Sequence, residues 1–422
     1  MQKFDTGRRN FLATMGLGAG AGIGLGLSPN LLAGGAGTAP TKLLLYVFLR
    51  GGMDGLSYII PTGGPNQQYY AQDRDNTFIE PGNPISLADM AGGANFGLNP
   101  LCTELHSIRD HVAFIHACGH PLDALTRSHF DAQEEIELGT PGSQSSSDGG
   151  FLSRYLQATA HSPDAIFTSM AASSTPPVSL AGYADVAALD SPGGFNPNSG
   201  RYGDTHLLGL AQMYGGSGSL DLAGQSAIEA VELISTFDLE NYVPGGGVIY
   251  PDTSIGDELA LIAQLWKLDI GISVATLDTG GWDTHNNQQS LNPNTGFGRN
   301  IRELSDALTA FYLDIAGDPI KSADDICVVV QSEFGRQVSE NGNNGTDHGF
   351  ATPMTVIGGR IAGGVYGTFP SIATADREGD GVVPTTDFRQ VHGTVMDVVL
   401  GSGPGVVNSV FPGYSYSPLA II

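Results

Sequence analysis

Leu43-Leu44-Leu45-Tyr46-Val47-Phe48-Leu49 is an unbroken apolar run that stops at Arg50-Gly51-Gly52-Met53-Asp54-Gly55. Seven apolar residues with two aromatics and a glycine stop predict a strand buried on both faces, as in parallel sheets. Four further runs read the same way: 111–117 (HVAFIHA), 270–277 (IGISVATL), 325–330 (DICVVV) and 353–357 (PMTVI). Between them apolar residues fall at helical spacing over 130–138, 256–268 and 299–315. In the last, Ile301, Leu304, Leu308, Phe311, Tyr312 and Ile315 share a stripe. Buried strands alternating with amphipathic helices predict an α/β fold, a doubly wound, mostly parallel sheet flanked by helices. The Gly/Ser/Asn-rich stretches 143–150 and 192–203 mark a loop-rich insertion or cap at about 140–255.

Composition narrows the function. The 422 residues include 18 Lys+Arg against 43 Asp+Glu, for a formal charge of −25, and 41% are hydrophobic. Such a chain has the apolar content for a core and lacks the clustered cations that bind DNA or RNA phosphates. It is also repelled by anionic membrane surfaces. Sixty glycines and 24 prolines without a repeating period predict many turns.

Residues 1–39 read as a targeting segment. Arg8-Arg9-Asn10-Phe11-Leu12 is a twin-arginine pair followed by Phe-Leu, 15–32 is apolar and uncharged, and small residues fill 33–39. Export by the twin-arginine (Tat) machinery to the periplasm or beyond is therefore expected. After signal removal, residues 40–422 would remain as one α/β domain without a stable membrane anchor. Cys102, Cys118 and Cys327 are too few for a disulfide framework, and none forms a Cys-x-x-Cys pair, so buried core positions are expected.

In open α/β sheets ligands bind beyond the carboxyl ends of the strands. The first run leads to Asp54. The second leads to His116, His120 and then Thr126-Arg127-Ser128-His129 opening a helix. The third leads to Gly280-Gly281-Trp282-Asp283-Thr284-His285, and the fourth to Ser332-Glu333-Phe334-Gly335-Arg336 and then Asp347-His348. Carboxylates and imidazoles without thiolates suit Zn, Mn or Fe, with Mg or Ca further down the order. Two such ions about 4 Å apart clamp a transferring phosphoryl or sulfuryl group. Thr126 and Ser128 lie where a helix N-terminus stabilises developing negative charge, and Arg127 beside them can grip an anionic oxygen. Glu333 reads as a ligand, as a supporting carboxylate or as a partner of Arg336. His116 and His120 read as core or rim histidines, and His129 as packing beside the cap.

Five segments carry a resemblance: FLRGGMDGLS (48–57), LTRSHFDAQ (125–133), GGWDTH (280–285), SEFGR (332–336) and TDHGF (346–350). The chain resembles a twin-arginine-exported bacterial family of unassigned function, related to the alkaline phosphatase and sulfatase superfamily. That resemblance implies an alkaline-phosphatase-like fold and a metal site drawing on Asp54, Asp283 with His285, Asp347-His348 and the late His392. It also implies a nucleophile at Ser128 or Thr126. The Cys-x-Pro-Ser-Arg signature of sulfatases is absent, which favours phosphate over sulfate. The expected activity is an exported metal-dependent hydrolase acting on an anionic ester, including a decorated polysaccharide. The alternative is a metal- or polymer-binding surface protein that keeps the fold without turnover.

Overall fold

The computed structural model describes residues 42–162, 165–189, 203–218, 221, 224, 225, 228 and 241–422. In chain order the strands are β1 (Leu43–Leu49), β2 (Ile59–Pro61), β3 (Ile85–Ser86), β4 (Phe96–Leu98) and β5 (Val112–Gly119). Then follow β6 (Ser169–Ala171), β7 (Val186–Ala188), β8 (Val274–Thr279), β9 (Ile326–Ser332) and β10 (Arg336–Glu340). The last are β11 (Thr346–His348), β12 (Thr352–Ile357), β13 (Gly364–Tyr366) and β14 (Thr386–Asp387). The helices used below are α1 (His129–Leu138), α2 (Phe151–Ala158), α3 (Ser254–Lys267), α4 (Gly296–Ala316), α5 (Phe388–Thr394) and α6 (Pro404–Val410).

The central sheet runs β13-β5-β12-β9-β1-β8-β6-β7, with β14 added beside β5. All its pairings are parallel except those of β12, which runs against both β5 and β9. The reason is local: the chain returns from β9 to β12 through the β10–β11 hairpin, with no crossover helix to carry it round to the parallel sense. The mostly parallel sheet of the sequence reading is thus observed, with one reversed strand.

Every residue of β1 is buried, as the apolar run requires. Leu44, Tyr46 and Phe48 join one core cluster with Phe151 and Leu152 of α2, Val391 of α5 and Val407 of α6. The alternate residues Leu43, Leu45 and Val47 are as deeply buried on the opposite face. There α3 contacts β8 and packs along α4. At an area coefficient of about 25 cal/mol per Å², each of these core side chains contributes roughly 1.5–3 kcal/mol. The 270–277 run starts its strand only at Val274: Ile270 and Ile272 are buried, but Gly271 takes φ +104, outside strand geometry.

The chain divides into two units, Pro40–Pro192 with Tyr242–Ile422, and Met1–Ala39 with Gly193–Asn241. The first holds the sheet. In the second, the described part includes the helix Gly203–Met213 and Tyr214, whose carbonyl accepts from Gln225. Within the stretch expected as insertion or cap, α2, β6 and β7 are part of the sheet and its covering layer. They are therefore not a cap. Residues 190–202 and the targeting segment lie outside the described residues. Among the described residues no helix is long and apolar enough to cross a membrane.

Cys102, Cys118 and Cys327 are buried and unpaired, as expected of core residues, and burial pushes the Cys118 thiol up to about 12.

Candidate metal centre

β1, β5, β8 and β9 all end on one edge of the sheet, and the segments that follow them interlock. Gly51, at φ +128, comes so close to the loop after β8 that a Cβ would lie 2.5 Å from the Asp283 amide nitrogen. A Cβ on Gly345, between β10 and β11, would lie 2.4 Å from the carbonyl carbon of His285. The buried Arg336 guanidinium then ties these loops together. It donates to the carbonyls of Gly51, Gly52 (2.6 Å), Thr346 (2.9 Å) and Trp282 (3.1 Å), and to Asp283 Oδ1 (2.6 Å). Gln288, also buried, accepts from the Thr284 (2.9 Å) and Thr346 (2.7 Å) hydroxyls, linking the loop of His285 to the strand of His348.

Three imidazoles meet on Asp283. Its Oδ1 lies 3.1 Å from His285 Nε2, 3.2 Å from His348 Nε2 and 3.6 Å from His129 Nε2. Each ring is held from behind. His129 Nδ1 is 2.7 Å from Glu333 Oε1, His285 Nδ1 is 2.7 Å from Asp347 Oδ1, and His348 Nδ1 is 2.9 Å from the Arg127 carbonyl. A carboxylate or carbonyl oxygen only accepts, so each ring carries a proton on Nδ1, which leaves Nε2 as the ligand atom whenever that ring is neutral. This is the carboxylate–histidine arrangement that orients metal ligands. His129 Nε2 is buried with no hydrogen-bond partner, and His285 Nε2 faces His348 Nε2 at 2.9 Å. A shared proton or a metal ion satisfies both nitrogens at that distance. The residue chemistry therefore fits a metal ion, and His129, Asp283 and His348 form the one group of His, Cys, Asp and Glu side chains with metal-holding spacing among the described residues.

The electrostatics agree with the geometry. Burial pushes the Asp283 carboxyl up, but the Arg336 guanidinium and the neighbouring imidazoles outweigh it and hold it below the usual range. Glu333 is fully buried, yet hydrogen bonds from His129 and Gln133 keep it ionised below its usual value. It also accepts from the Gly51 amide (2.8 Å) and the Ser332 hydroxyl (2.9 Å). Asn341 and His285 likewise lower Asp347. The mouth is open to solvent, the Asp283 side chain being 47% exposed.

Two of the expected ligands are corrected. Asp54 is fully buried and bound by both terminal nitrogens of Arg74 (2.6 and 3.0 Å), by Ser57 (2.6 Å) and by Gln288 (2.6 Å). A guanidinium already neutralises it, so Asp54 is one half of a structural ion pair. His392 sits inside the core against Tyr46 and Phe151, with Nε2 on Gln331 Oε1 at 2.7 Å, and burial lowers its pKa to about 3. Glu333 and Asp347 are at the site but behind the ring nitrogens of His129 and His285. Asp283, His285 and His348 converge.

Ser128 is the N-cap of α1, with Oγ accepting from Asp131 N at 3.4 Å, and Thr126 Oγ1 accepts from Ser128 N at 3.2 Å. Arg127 lies over the Phe350 ring and donates to the Gly379 carbonyl. His116 is buried between Phe96 and Phe369, and His120 is paired with Glu135 at 3.2 Å. His129 is the site residue that the sequence reading left out. Its signal was a histidine at the first position of the helix capped by Ser128.

Among solved structures the chain is similar to an alkaline phosphatase from the Antarctic bacterium TAB5, at 11% identity and a TM-score of 0.32. That match covers 78% of this chain and 95% of the other. A histidine-to-glutamate mutant of that enzyme with Mg bound in its M3 site matches at 12% identity and a TM-score of 0.30, covering 78% and 94%. No curated protein matches the chain. Residues 261–399 match a family described as "Protein of unknown function (DUF1501)", a segment that carries Asp283, His285, Glu333, Asp347, His348 and His392.

Proposed function

We propose that this protein is an exported metal-dependent hydrolase of a phosphate ester, with its centre at the carboxyl edge of the sheet. The observation that carries this reading is the convergence of the His129, His285 and His348 Nε2 atoms on Asp283, each ring fixed through Nδ1. A divalent cation held there would supply Lewis-acid activation of the ester oxygen and of water. Asp283, Glu333 and Asp347 bring three negative charges around the rings and Arg336 brings one positive charge, so a bound divalent ion takes the centre to about neutrality in a chain of charge −25. An anionic ester is therefore repelled less at this spot than elsewhere.

The chain supplies the other parts. His129 stands at the first position of α1, and a helix N-terminus is a setting that favours an anionic oxygen. Ser128 is the attacking hydroxyl in this reading, with Thr126 as its alternative. The hydrogen bond that Ser128 Oγ accepts from Asp131 N, at 3.4 Å, is too long to restrain the oxygen strongly. Attack would form the Ser128 O–P bond and break the ester P–O bond, the serine proton passing through solvent to the departing alcohol; water would then hydrolyse the phosphoserine, releasing phosphate and restoring the hydroxyl. Export would follow the twin-arginine route, and replacing Arg8 and Arg9 by lysine should leave the protein in the cytoplasm.

A panel of nitrophenyl phosphate, phosphodiester and sulfate tests the assignment on metal-loaded full-length protein. Turnover of the phosphate monoester, lost with chelator and in His348→Ala, is expected. Absence of turnover for every ester would overturn it. Undiminished rates in Ser128→Ala would move the attack to Thr126.

A further inference from the structure

The geometry points to a single transition-metal ion held by four protein donors, His129 Nε2, Asp283 Oδ1, His285 Nε2 and His348 Nε2, rather than the paired ions of a two-metal phosphatase. This inference rests on the metal-dependent reading above and specifies its centre.

The separations of the donor atoms carry the first part. The donor atoms lie 2.9 Å (His285 to His348), 3.1 Å (His285 to Asp283), 3.2 Å (His348 to Asp283) and 3.6 Å (His129 to Asp283) apart. Four ligands placed tetrahedrally about 2.0–2.1 Å from one ion stand about 3.3–3.4 Å from one another. These four of the six separations bracket that edge, and His129 and His348 offer donor atoms within 4.8 Å of each other. His285 belongs in the set on the same grounds as the other two rings, because its Nδ1 is bound to a carboxylate and its Nε2 lone pair faces the cluster. A donor set of three imidazoles suits Zn, Fe, Co or Mn and disfavours Mg or Ca, which prefer oxygen.

The second part is that the described residues offer one such group. Asp54, the carboxylate after β1, has both oxygens bound by Arg74. The guanidinium supplies there, as part of the chain, the positive charge that an ion would otherwise bring. Glu333 and Asp347 face Nδ1 atoms, and His392 is enclosed in the aromatic core. No other His, Cys, Asp or Glu group among the described residues has metal-holding spacing.

Cobalt titration of the full-length, chelator-stripped protein tests this, read by visible absorption and by metal analysis after gel filtration. One equivalent should bind, with a five-coordinate spectrum from four protein donors and one exchangeable water, the open position that the metal-dependent reading requires. His285→Ala and the volume-keeping His285→Gln should change that spectrum and weaken binding beyond the roughly 10–100-fold expected for Asp347→Asn, which acts one atom further out. Asp347→Asn should leave the spectrum unaltered. Two equivalents bound, or a parental spectrum and affinity in both folded His285 variants, would overturn the single four-donor centre while leaving a metal-dependent enzyme standing. Failure of the parent to bind cobalt, zinc, iron or manganese would overturn both.

Discussion

Asp54 and Glu333 are both buried carboxylates at strand ends, and their partners separate their roles. Asp54 faces Arg74, and Glu333 faces the ring of His129. Asp54→Asn should cost on the order of 3–5 kcal/mol of stability, because a buried guanidinium loses its counter-charge. Its folded fraction should keep the metal content of the parent. Glu333→Gln should do the reverse, lowering metal affinity about 10–100-fold with a smaller loss of stability. Urea unfolding and metal titration on both variants check the pair, and a metal loss in folded Asp54→Asn would contradict it. At this scale the sequence was partly legible. Asp283, His285 and His348 stood out because glycines flank them at strand ends. Asp54 sat in the same kind of context, and nothing in the sequence marks Arg74, twenty residues on, as its partner. His129 was hidden because a helix-start histidine beside a cap residue is compatible with simple packing.

Elements bring these residues together by close backbone approach. The β10–β11 hairpin lies on the His285 loop where Gly345 leaves no room for a Cβ. Gly345→Ala should therefore push His348 away from His285, costing roughly 1–3 kcal/mol and weakening metal binding with it. A metal affinity equal to the parent's would show that the hairpin does not set the site. Burial inside elements also sets the acid limit. His392 on α5 and His116 on β5 are held at about 3 and about 4 by burial, against about 6.5 in an unfolded chain. The unfolded state then binds protons that the folded state refuses. Their contribution is complete above about pH 6.5 and is lost as pH falls toward 4 and then 3, by several kcal/mol in total. His392→Phe should remove about one proton from the pH slope of unfolding free energy across that range. An unchanged slope would contradict the assignment. The buried strands were legible because each face of β1 is apolar. The reversed sense of β12 was not, since it follows from a hairpin in polar Gly/Asn sequence that reads as an ordinary loop.

Over the whole molecule, a charge of −25 surrounds one centre that a bound ion would bring to about neutrality. Distant surface carboxylates repel an anionic ester over a screening length of about 10 Å at 0.1 M salt. For a phosphate monoester kcat/KM should therefore rise modestly between about 10 and 100 mM salt. A steep fall would mean that attraction, and not repulsion, dominates the approach. The acidity was plain from composition, while the sign of the field at the site depends on which carboxylates are paired: Asp54 is neutralised by Arg74, and Asp283 shares Arg336. Everything in the functional reading depends on the metal at that centre. The most direct test is elemental analysis of the natively produced protein beside His129→Ala and His348→Ala. One equivalent of Zn, Fe, Co or Mn in the parent, lost from both folded variants, is the expected result. A folded parent carrying no such metal, or variants that retain it in full, would contradict the account.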